Sequence, residues 1–593
     1  MSSAPPAETP PAAEPPWAQE MAENYRAGTI SQFVLYGAVK DVVAVPATDA
    51  AAPVGNTAPP WQFTSLEEYL AGHVFAQRDV VLFYDRGTGI RARKGAEEFQ
   101  RFLAAFDAVN DTTYSKAAGA LPRDPAAALR LLDRFIAGGL HRPKPLKMAI
   151  VMDYAHLILP QAEVVQLVGE LGESLITVQD WAADPTILGA DVTTVLLTEN
   201  LHDLNDAVVR SPYSAKIQVA LPTEAELRAY VGALLAGDPS LGPVCQVSVD
   251  VIASRCVGLS RVNVRNLLRF AAANNRPITM EFLTNIKKEL IEKECYGLLE
   301  FVESPWQLDM VAGHDAAKAW LVDDSELLKR GELESIPMGY LLTGRIGTGK
   351  TFLVTCWAGQ IGIPCVQFKN FRDKWMGSSE GNLEKIFSVL DALGQVVVFV
   401  DEADQAMGSR SGGEGDSGLS GRIYSMMAQK MSDTRLRGKI IWVLATSRPD
   451  LLEVDLKRPG RLDVHIPLFP PQDDASRHEL LRVMAKKVGM EIAPEDVPPL
   501  PAGMEIGGNE MEAILVRANR RWQLQEPPGA TPLPQIIGEV LAEYRPSAHV
   551  RRYEYMDLVA VKECTDDRFL PPRYRTMSPE DLEARLQALS GYM

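Results

Sequence analysis

The stretch Gly344-Arg345-Ile346-Gly347-Thr348-Gly349-Lys350-Thr351 decides how this chain is read. It fits the pattern G-x-x-x-x-G-K-[S/T]. It follows an apolar segment, Gly339-Tyr-Leu-Leu-Thr343, and leads into a helix-like run, Phe352-Leu-Val-Thr-Cys-Trp-Ala358. Strand, glycine-rich loop and helix form the context this motif requires. Glycines let backbone N–H groups close around phosphate oxygens at a helix N-terminus, where backbone dipoles favour anions. Lys350 is placed to reach β- and γ-phosphates, and the Thr351 hydroxyl to bind Mg²⁺. The expected nucleotide-contacting set is therefore Gly344, Gly347, Thr348, Gly349, Lys350, Thr351 and Phe352.

A second signal places an aspartate, Asp401, 51 residues after Lys350. The apolar strand Val396-Val-Val-Phe-Val400 delivers Asp401 and Glu402 to its C-terminal end. Asp401 is placed there to share Mg²⁺ with Thr351, and Glu402 to orient and polarise an attacking water. ATP and Mg²⁺ are the expected ligands.

The rest of the chain frames these motifs. At one domain per ~150 residues, 593 residues allow roughly three to four domains. Apolar residues make up 46% and charged residues 23%, as in an ordinary globular protein. Lys and Arg number 60 against 77 Asp and Glu, a net charge of −17, which argues against a general nucleic-acid binder. No apolar run is long enough to span a bilayer, no signal-peptide pattern is present, and the six cysteines are widely spaced without a CxxC. A cytoplasmic location is expected. Residues 1–16 are Pro/Ala-rich and are expected to be disordered.

Two long stretches share one rhythm of short β-branched strands alternating with helical patterns. Strands are predicted at 33–36, 79–85, 147–153 and 193–198, then at 339–343, 364–368, 396–401 and 439–445. Each stretch ends in a mostly helical segment, 222–293 and 473–547. This predicts an α/β fold, a parallel sheet with helices on both faces plus a small helical subdomain, present twice.

With both motifs in place, the segment from about 305 to 547 resembles the AAA+ ATPases, within them the subgroup of proteasomal, membrane-protease and microtubule-severing ATPases. The motifs fall in the family's order. Asp309-Met-Val-Ala-Gly313 resembles the segment beside the adenine, which adds Gly313 to the nucleotide set. Phe371-Arg-Asp-Lys-Trp375-Met376-Gly377 resembles the substrate-gripping pore loop. Ile440-Ile-Trp-Val-Leu-Ala-Thr-Ser447 resembles the sensor strand, and Arg458-Pro-Gly-Arg461-Leu-Asp463 the arginine-finger motif. The resemblance implies that Arg458 and Arg461 act on a neighbouring subunit's nucleotide, so that the working form is a homo-oligomer, a hexamer in most of the family. It implies these parts: 17–295, a degenerate first module with its helical part at 222–293; 296–472, the large ATPase subdomain; 473–547, the small helical subdomain; and 548–593, a C-terminal extension. Two departures stand out. Ser447 occupies the sensor position where Asn is usual, and Gly507-Gly508-Asn509-Glu510 stands where Ser-Gly-Ala-Asp is usual.

The first stretch reads as a degraded copy. Met148-Ala-Ile-Val-Met-Asp153 parallels the acidic strand, with Tyr154 in place of Glu. Val195-Leu-Leu-Thr-Glu-Asn200 parallels the sensor strand, with Asn200 at the sensor position. The phosphate loop is sought after Val80–Tyr84, where Asp85-Arg-Gly-Thr-Gly-Ile90 offers no Gly-Lys-Thr. A module without nucleotide, serving assembly or partner recognition, is expected; an unrelated α/β adaptor domain is the competing reading.

The expected function is ATP hydrolysis coupled to remodelling of a protein partner. An ATP-gated switch or scaffold is the rival, favoured by Ser447. A nucleic-acid motor is a third reading, disfavoured by the acidic composition.

Overall fold

A computed structural model of the chain describes residues 14–46, 61–116, 121–162, 167–295, 297–369, 379–407, 417–500, 505–525, 527, 530–545 and 549–592. The Pro/Ala-rich residues 1–13 and the Trp375-Met376-Gly377 segment lie outside the described residues. The chain forms two compact units: residues 1–295 together with 377–393, and residues 296–376 together with 394–593.

In the first unit the strands are β1 (Gln32–Gly37), β2 (Val42–Pro46), β3 (Trp61–Ser65), β4 (Val80–Asp85), β5 (Gly89–Lys94), β6 (Met148–Met152), β7 (Val192–Thr198) and β8 (Ser214–Val219). Six of them form a sheet in the order β5-β4-β6-β7-β1-β8. All its pairings are parallel except β4 with β5. Strands covered on both faces read as continuous apolar runs. Here alternate residues feed two cores. Val34, Leu82, Ile150 and Leu196 pack with the helices Pro125–Leu140 and Glu170–Ala183. Phe33, Phe83, Val151 and Val195 pack with Trp17, Met21 and Leu66. A helical part follows, opened by a capping box in which Thr223 and Glu226 satisfy each other's backbone N–H groups.

In the second unit the strands are β9 (Leu299–Phe301), β10 (Gly339–Thr343), β11 (Cys365–Phe368), β12 (Val396–Val400), β13 (Ile440–Thr446) and β14 (Val464–Pro467). They form one sheet in the order β14-β10-β13-β12-β11-β9, parallel apart from β9. Tyr340, Val397, Phe399 and Val443 share a core with Leu321 and Trp357. The helices Asp474–Lys487, Gly508–Gln523 and Leu533–Glu543 join the same core through Leu481, Ile514 and Ile537. Beyond them Val550–Lys562, Pro572–Arg575 and Pro579–Leu589 are also helical, and Leu558, Leu570, Tyr574 and Leu586 cluster with Phe469. The C-terminal extension is thus an integral layer of the second unit.

The two sheets match strand for strand, with β8-β1-β7-β6-β4 repeating β14-β10-β13-β12-β11. The registers match as well. Met152 faces Leu196 as Val400 faces Leu444. Tyr36 faces Thr198 and Gln218 as Thr343 faces Thr446 and Pro467. This duplication corrects two expectations. The counterpart of β10 is β1, not β4, so the counterpart of the phosphate loop begins at Gly37. The segment Asp85–Ile90 is instead a tight β4–β5 turn, where Asp85 accepts the backbone N–H groups of Gly87 (2.8 Å) and Thr88 (2.7 Å). The counterpart of Ser447 is Glu199, because Thr198 pairs like Thr446; Asn200 is one residue too far.

Gly37 and Gly344 leave their strands with φ of 99° and 132°. A β-carbon on Gly37 would lie 2.7 Å from the Val219 carbonyl oxygen, and one on Gly344 would lie 2.1 Å from that of Leu468. Gly37→Ala is expected to destabilise the first unit by about 1–3 kcal/mol. Urea denaturation reads this as an earlier transition, and an unchanged midpoint would show that the strand end tolerates a side chain.

Candidate functional site

The second unit brings the predicted nucleotide residues to one edge of its sheet. Gly347 (φ 86°) and Gly349 (φ 87°) hold the loop in the left-handed region that glycine tolerates, and nothing lies within 4 Å of where a Gly349 β-carbon would be. The helix Lys350–Ile361 starts directly behind the loop. The Lys350 ammonium folds back on the loop, donating to the carbonyls of Gly344 (2.7 Å) and Arg345 (3.0 Å). Burial lowers its pKa to about 8, opposed by the charges of Asp401 and Asp404. Thr348 donates to the Arg345 carbonyl at 2.9 Å, closing the turn.

The Thr351 hydroxyl donates to the Asp401 carboxylate at 2.8 Å. Asp401 also accepts the Glu402 backbone N–H at 2.9 Å, which holds Glu402 at φ 47° with its side chain exposed. A non-glycine residue at positive φ signals strain stored where the surroundings dictate it. Beside the acidic pair lies a cavity of about 390 Å³ lined by Gln367, Lys369, Asp401, Glu402 and Gln405 among others. Thr446, next to Ser447, donates to Asp404 at 2.5 Å, which ties the sensor strand to the acidic segment.

A narrow slot of about 60 Å³ adjoins the loop on its other side, lined by Val311, His314, Gly347, Leu480, Met484 and Gly508 among others. Burial drives the pKa of His314 down to about 4, so it faces the slot as a neutral ring. Gly507, where Ser is usual, has a physical cause. Gly508 donates its N–H to the Gly347 carbonyl at 2.8 Å, and a β-carbon on Gly507 would come 2.8 Å from that same oxygen. Close approach of the helical part to the phosphate loop excludes a larger residue at Gly507. Gly313 donates its N–H to Glu479 of the helical part at 3.3 Å.

These donors fit a magnesium nucleotide. A hydroxyl and a carboxylate side by side are hard oxygen ligands, and a lysine with glycine-spaced N–H groups at a helix N-terminus suits phosphates.

The predicted arginine pair is not equivalent. Arg461 is bound by the Asp455 carboxylate and donates to its backbone carbonyl at 2.8 Å; 18% of its side chain is exposed. Arg458 keeps one contact, 3.2 Å to Asp455, and its side chain is 69% exposed. Of the two, Arg458 is the more exposed.

At the same edge of the first unit, the chain's own charges meet each other. Lys40, in the loop after β1, binds both Asp153 oxygens at 2.5 and 2.7 Å and lies 3.5 Å from the centre of the Tyr154 ring. The loop after β1 does carry a lysine, held by the Asp401 counterpart, but it stands three residues after Gly37 where Lys350 stands six after Gly344, and no Gly-Lys-Thr follows. Tyr154 repeats the strained backbone of Glu402, with φ 51° and its N–H on Asp153. The next residue, Asp41, is buried and accepts the N–H groups of Arg261 (3.1 Å) and Val262 (3.0 Å) at the start of the helix Arg261–Ala273. The Arg261 guanidinium adds contacts to Asp41 at 3.3 Å and to Glu226 at 3.1 Å. A carboxylate therefore sits at this helix N-terminus, and the α/β and helical parts are tied without a ligand. Sequence reading missed this because the pair Lys40-Asp41 carries no glycine pattern.

Two outcomes follow. The full chain should bind one nucleotide per polypeptide by equilibrium titration, and none after Lys350→Ala; residual binding in that variant would assign a site to the first unit. Asp41→Ala leaves buried Arg261 poorly compensated and should cost the first unit about 3 kcal/mol in chemical denaturation.

Comparison with known proteins agrees with this geometry. Residues 6–220 match the family model of an AAA+ chaperone N-terminal Rossmann-like domain. Residues 227–296 match that of an AAA+ chaperone second helical domain. Residues 340–469 match that of the ATPase family associated with various cellular activities. Among similar proteins are a cell division cycle protein 48 homolog of Archaeoglobus fulgidus (28% identity, 40% of this chain, 33% of the relative) and the ATP-dependent zinc metalloprotease FtsH 2 of Symbiobacterium thermophilum (34%, 31% and 33%). The peroxisomal ATPase PEX6 of Kluyveromyces lactis is 28% identical over 48% of this chain and 31% of its own. The chain spans about a third of the length of these relatives. With a phosphate loop, an acidic pair and a sensor strand on the edge of one sheet, and a second sheet of the same topology before it, the chain belongs to the AAA+ ATPases.

Proposed function

We propose that the second unit hydrolyses ATP in the presence of Mg²⁺, that the chain works as a ring of its own copies, six by analogy with the family, and that turnover remodels a protein partner. The observation that carries the reading is the Thr351–Asp401 contact, with Lys350 on one side and exposed Glu402 on the other. The loop N–H groups and Lys350 bind the β- and γ-phosphates. Thr351 and Asp401 are the residues that would hold Mg²⁺, which when bound neutralises charge on the phosphate oxygens. Glu402 accepts a proton from the attacking water and orients it. The half-buried Ser447 offers that region a single hydroxyl. Arg458, from a neighbouring copy, places a planar cation against the transferring phosphoryl group, while Arg461 shapes the Arg458-bearing turn through Asp455.

Coupling to a protein partner is supported by the similarity to chaperone-type family models and by the resemblance of Trp375-Met376-Gly377 to a pore loop. No helix among the described residues is long and apolar enough to cross a membrane.

Glu402→Gln should keep nucleotide binding and lower turnover by about 10²–10⁴-fold. Arg458→Ala should lower turnover by about 10³-fold in the assembled protein while leaving binding to the isolated chain intact. Steady-state hydrolysis against protein concentration, with particle mass recorded in parallel, checks both. ATP-dependent assembly without turnover would overturn the motor reading in favour of a nucleotide-gated scaffold.

A further inference from the structure

The phosphate loop is held from behind by the C-terminal extension. Arg345, the second residue of the loop, points its carbonyl toward Lys350 and Thr348 and its guanidinium the other way, into the protein. The Arg345 side chain is 7% exposed. It binds Glu505 at 2.7 Å, lies 3.7 Å from Asp557 and sits 5.4 Å from the centre of the Tyr553 ring. Glu505 precedes the helix Gly508–Gln523, whereas Asp557 and Tyr553 belong to Val550–Lys562. Arg573, on the next short helix, binds Glu505 at 3.0 Å and donates to the Tyr574 hydroxyl at 2.8 Å. Two guanidiniums and two carboxylates thus close a box behind the loop. Asp557 is its inner wall, 2% exposed, and among the described residues its Oδ1 is buried without a hydrogen-bond partner.

We propose that Asp557 is a positioning residue for the phosphate loop, acting through Arg345, so that the C-terminal extension sets how tightly the second unit holds nucleotide. The proposal rests on the nucleotide-site reading above. Its mechanics are simple. Lys350 is anchored by two loop carbonyls, and one of them is that of Arg345. Turning the Arg345 side chain shifts that carbonyl and the ammonium resting on it. Glu505 alone holds the guanidinium from the more exposed side, its own side chain being 41% exposed, and Asp557 holds it from within. Ionised, Asp557 balances the box; protonated, it leaves Arg345 to Glu505.

The box also has a proton equilibrium. Burial pushes the Asp557 carboxyl up to about 7, against the charges of Arg345, Arg573 and Lys350 and with that of Glu505. Tyr574 feels the Asp557 charge from the same side and stays neutral, its pKa raised to about 12 mainly by burial. Burial disfavours the charged form of Glu505, but hydrogen bonds from Arg345 and Arg573 more than offset it, and its carboxyl titrates below the ordinary value. Asp557 is therefore the acid of the box that changes charge near neutrality. The sign for stability is opposite to that for function. A carboxyl whose folded pKa lies above its unfolded value costs the fold stability as pH rises toward 7, whereas the grip on Arg345 is gained as it ionises.

The test uses the full chain with Mg²⁺ and N-methylanthraniloyl-ATP as the fluorescent probe, titrated between pH 6 and 8. Asp557→Asn keeps the shape and removes the charge. At pH 8 it should weaken nucleotide binding about tenfold and change kcat at saturating ATP by less than threefold, with a melting temperature no lower than that of the wild type. Wild-type affinity should fall from pH 8 to pH 6 relative to this variant, whose profile should be the flatter one. Arg345→Gln should weaken binding similarly, and the double variant should be no worse than Arg345→Gln alone, since coupled residues are not additive. Asp557→Asn binding within twofold of wild type across the range, or full additivity with Arg345→Gln, overturns the proposal. A wild-type chain that binds no probe removes the nucleotide-site reading, and this inference with it.

Discussion

Hydrogen bonding of β10 between β13 and β14 sets where every reactive group of the second unit lies. With Thr343 opposite Thr446 and Pro467, the chain leaves β10 at Gly344 against the Leu468 carbonyl, and only a residue without a β-carbon passes. The loop that follows has to turn back over the strand ends, and the helix behind it starts at Lys350. β12, two places along, ends at Val400, so Asp401 is the first residue free of the ladder and meets Thr351. A slip of one residue in a parallel pair turns every side chain to the other face. Such a slip would bury Asp401 and bring Glu402 to the hydroxyl, with no strained backbone to aim it. Because β12 is five consecutive buried apolar residues, each contributing roughly 1.5–3 kcal/mol through burial, the core enforces the register that the chemistry uses.

The first unit is built on the same constraint and shows what the fold keeps when the chemistry goes. The glycine at the end of β1, the aspartate after β6 and the strained residue behind it all remain, because strand register and a tight turn dictate them. The groups that hydrolysis needs are replaced. Tyr154 stands for Glu402, and a hairpin of β2 and β3 follows the loop where the second unit has a helix. Thr198 contacts the His156 ring at 3.2 Å, where Thr446 contacts Asp404. Charge, Asp41 with Arg261 and Glu226, ties the α/β and helical parts.

What was legible in the sequence follows the range over which each feature is encoded. The phosphate loop and the acidic pair are contiguous, each a strand with the residues after it, and both lie where their motifs imply. The order of strands in a sheet is not contiguous. β1 and β4 are both apolar runs, and only hydrogen bonding shows that β1 takes the place of β10. The strands β9 and β14, of three and four residues, are not among those read from the sequence. The box behind the loop is assembled from residues 345, 505, 557 and 573, each an ordinary charged residue in its own neighbourhood. Of these only Arg345 lies inside a motif, at a position where the motif accepts any residue.

The two lysines differ in what holds them. Lys40 rests on a carboxylate, with both oxygens within 2.7 Å. A phosphate offered to Lys40 would exchange one charged partner for another and strand the charge of Asp153. Lys350 rests on two backbone carbonyls, neutral dipoles that hold it in place, and feels the charges of Asp401 and Asp404 without resting on either. A triphosphate would offer the ammonium charged acceptors in place of those dipoles. The displaced carbonyls must then be re-satisfied by the loop itself. A loop that has to give up an internal bond each time it takes a ligand needs a firm support on its far side, and the buried pairing of Arg345 with Asp557 supplies one.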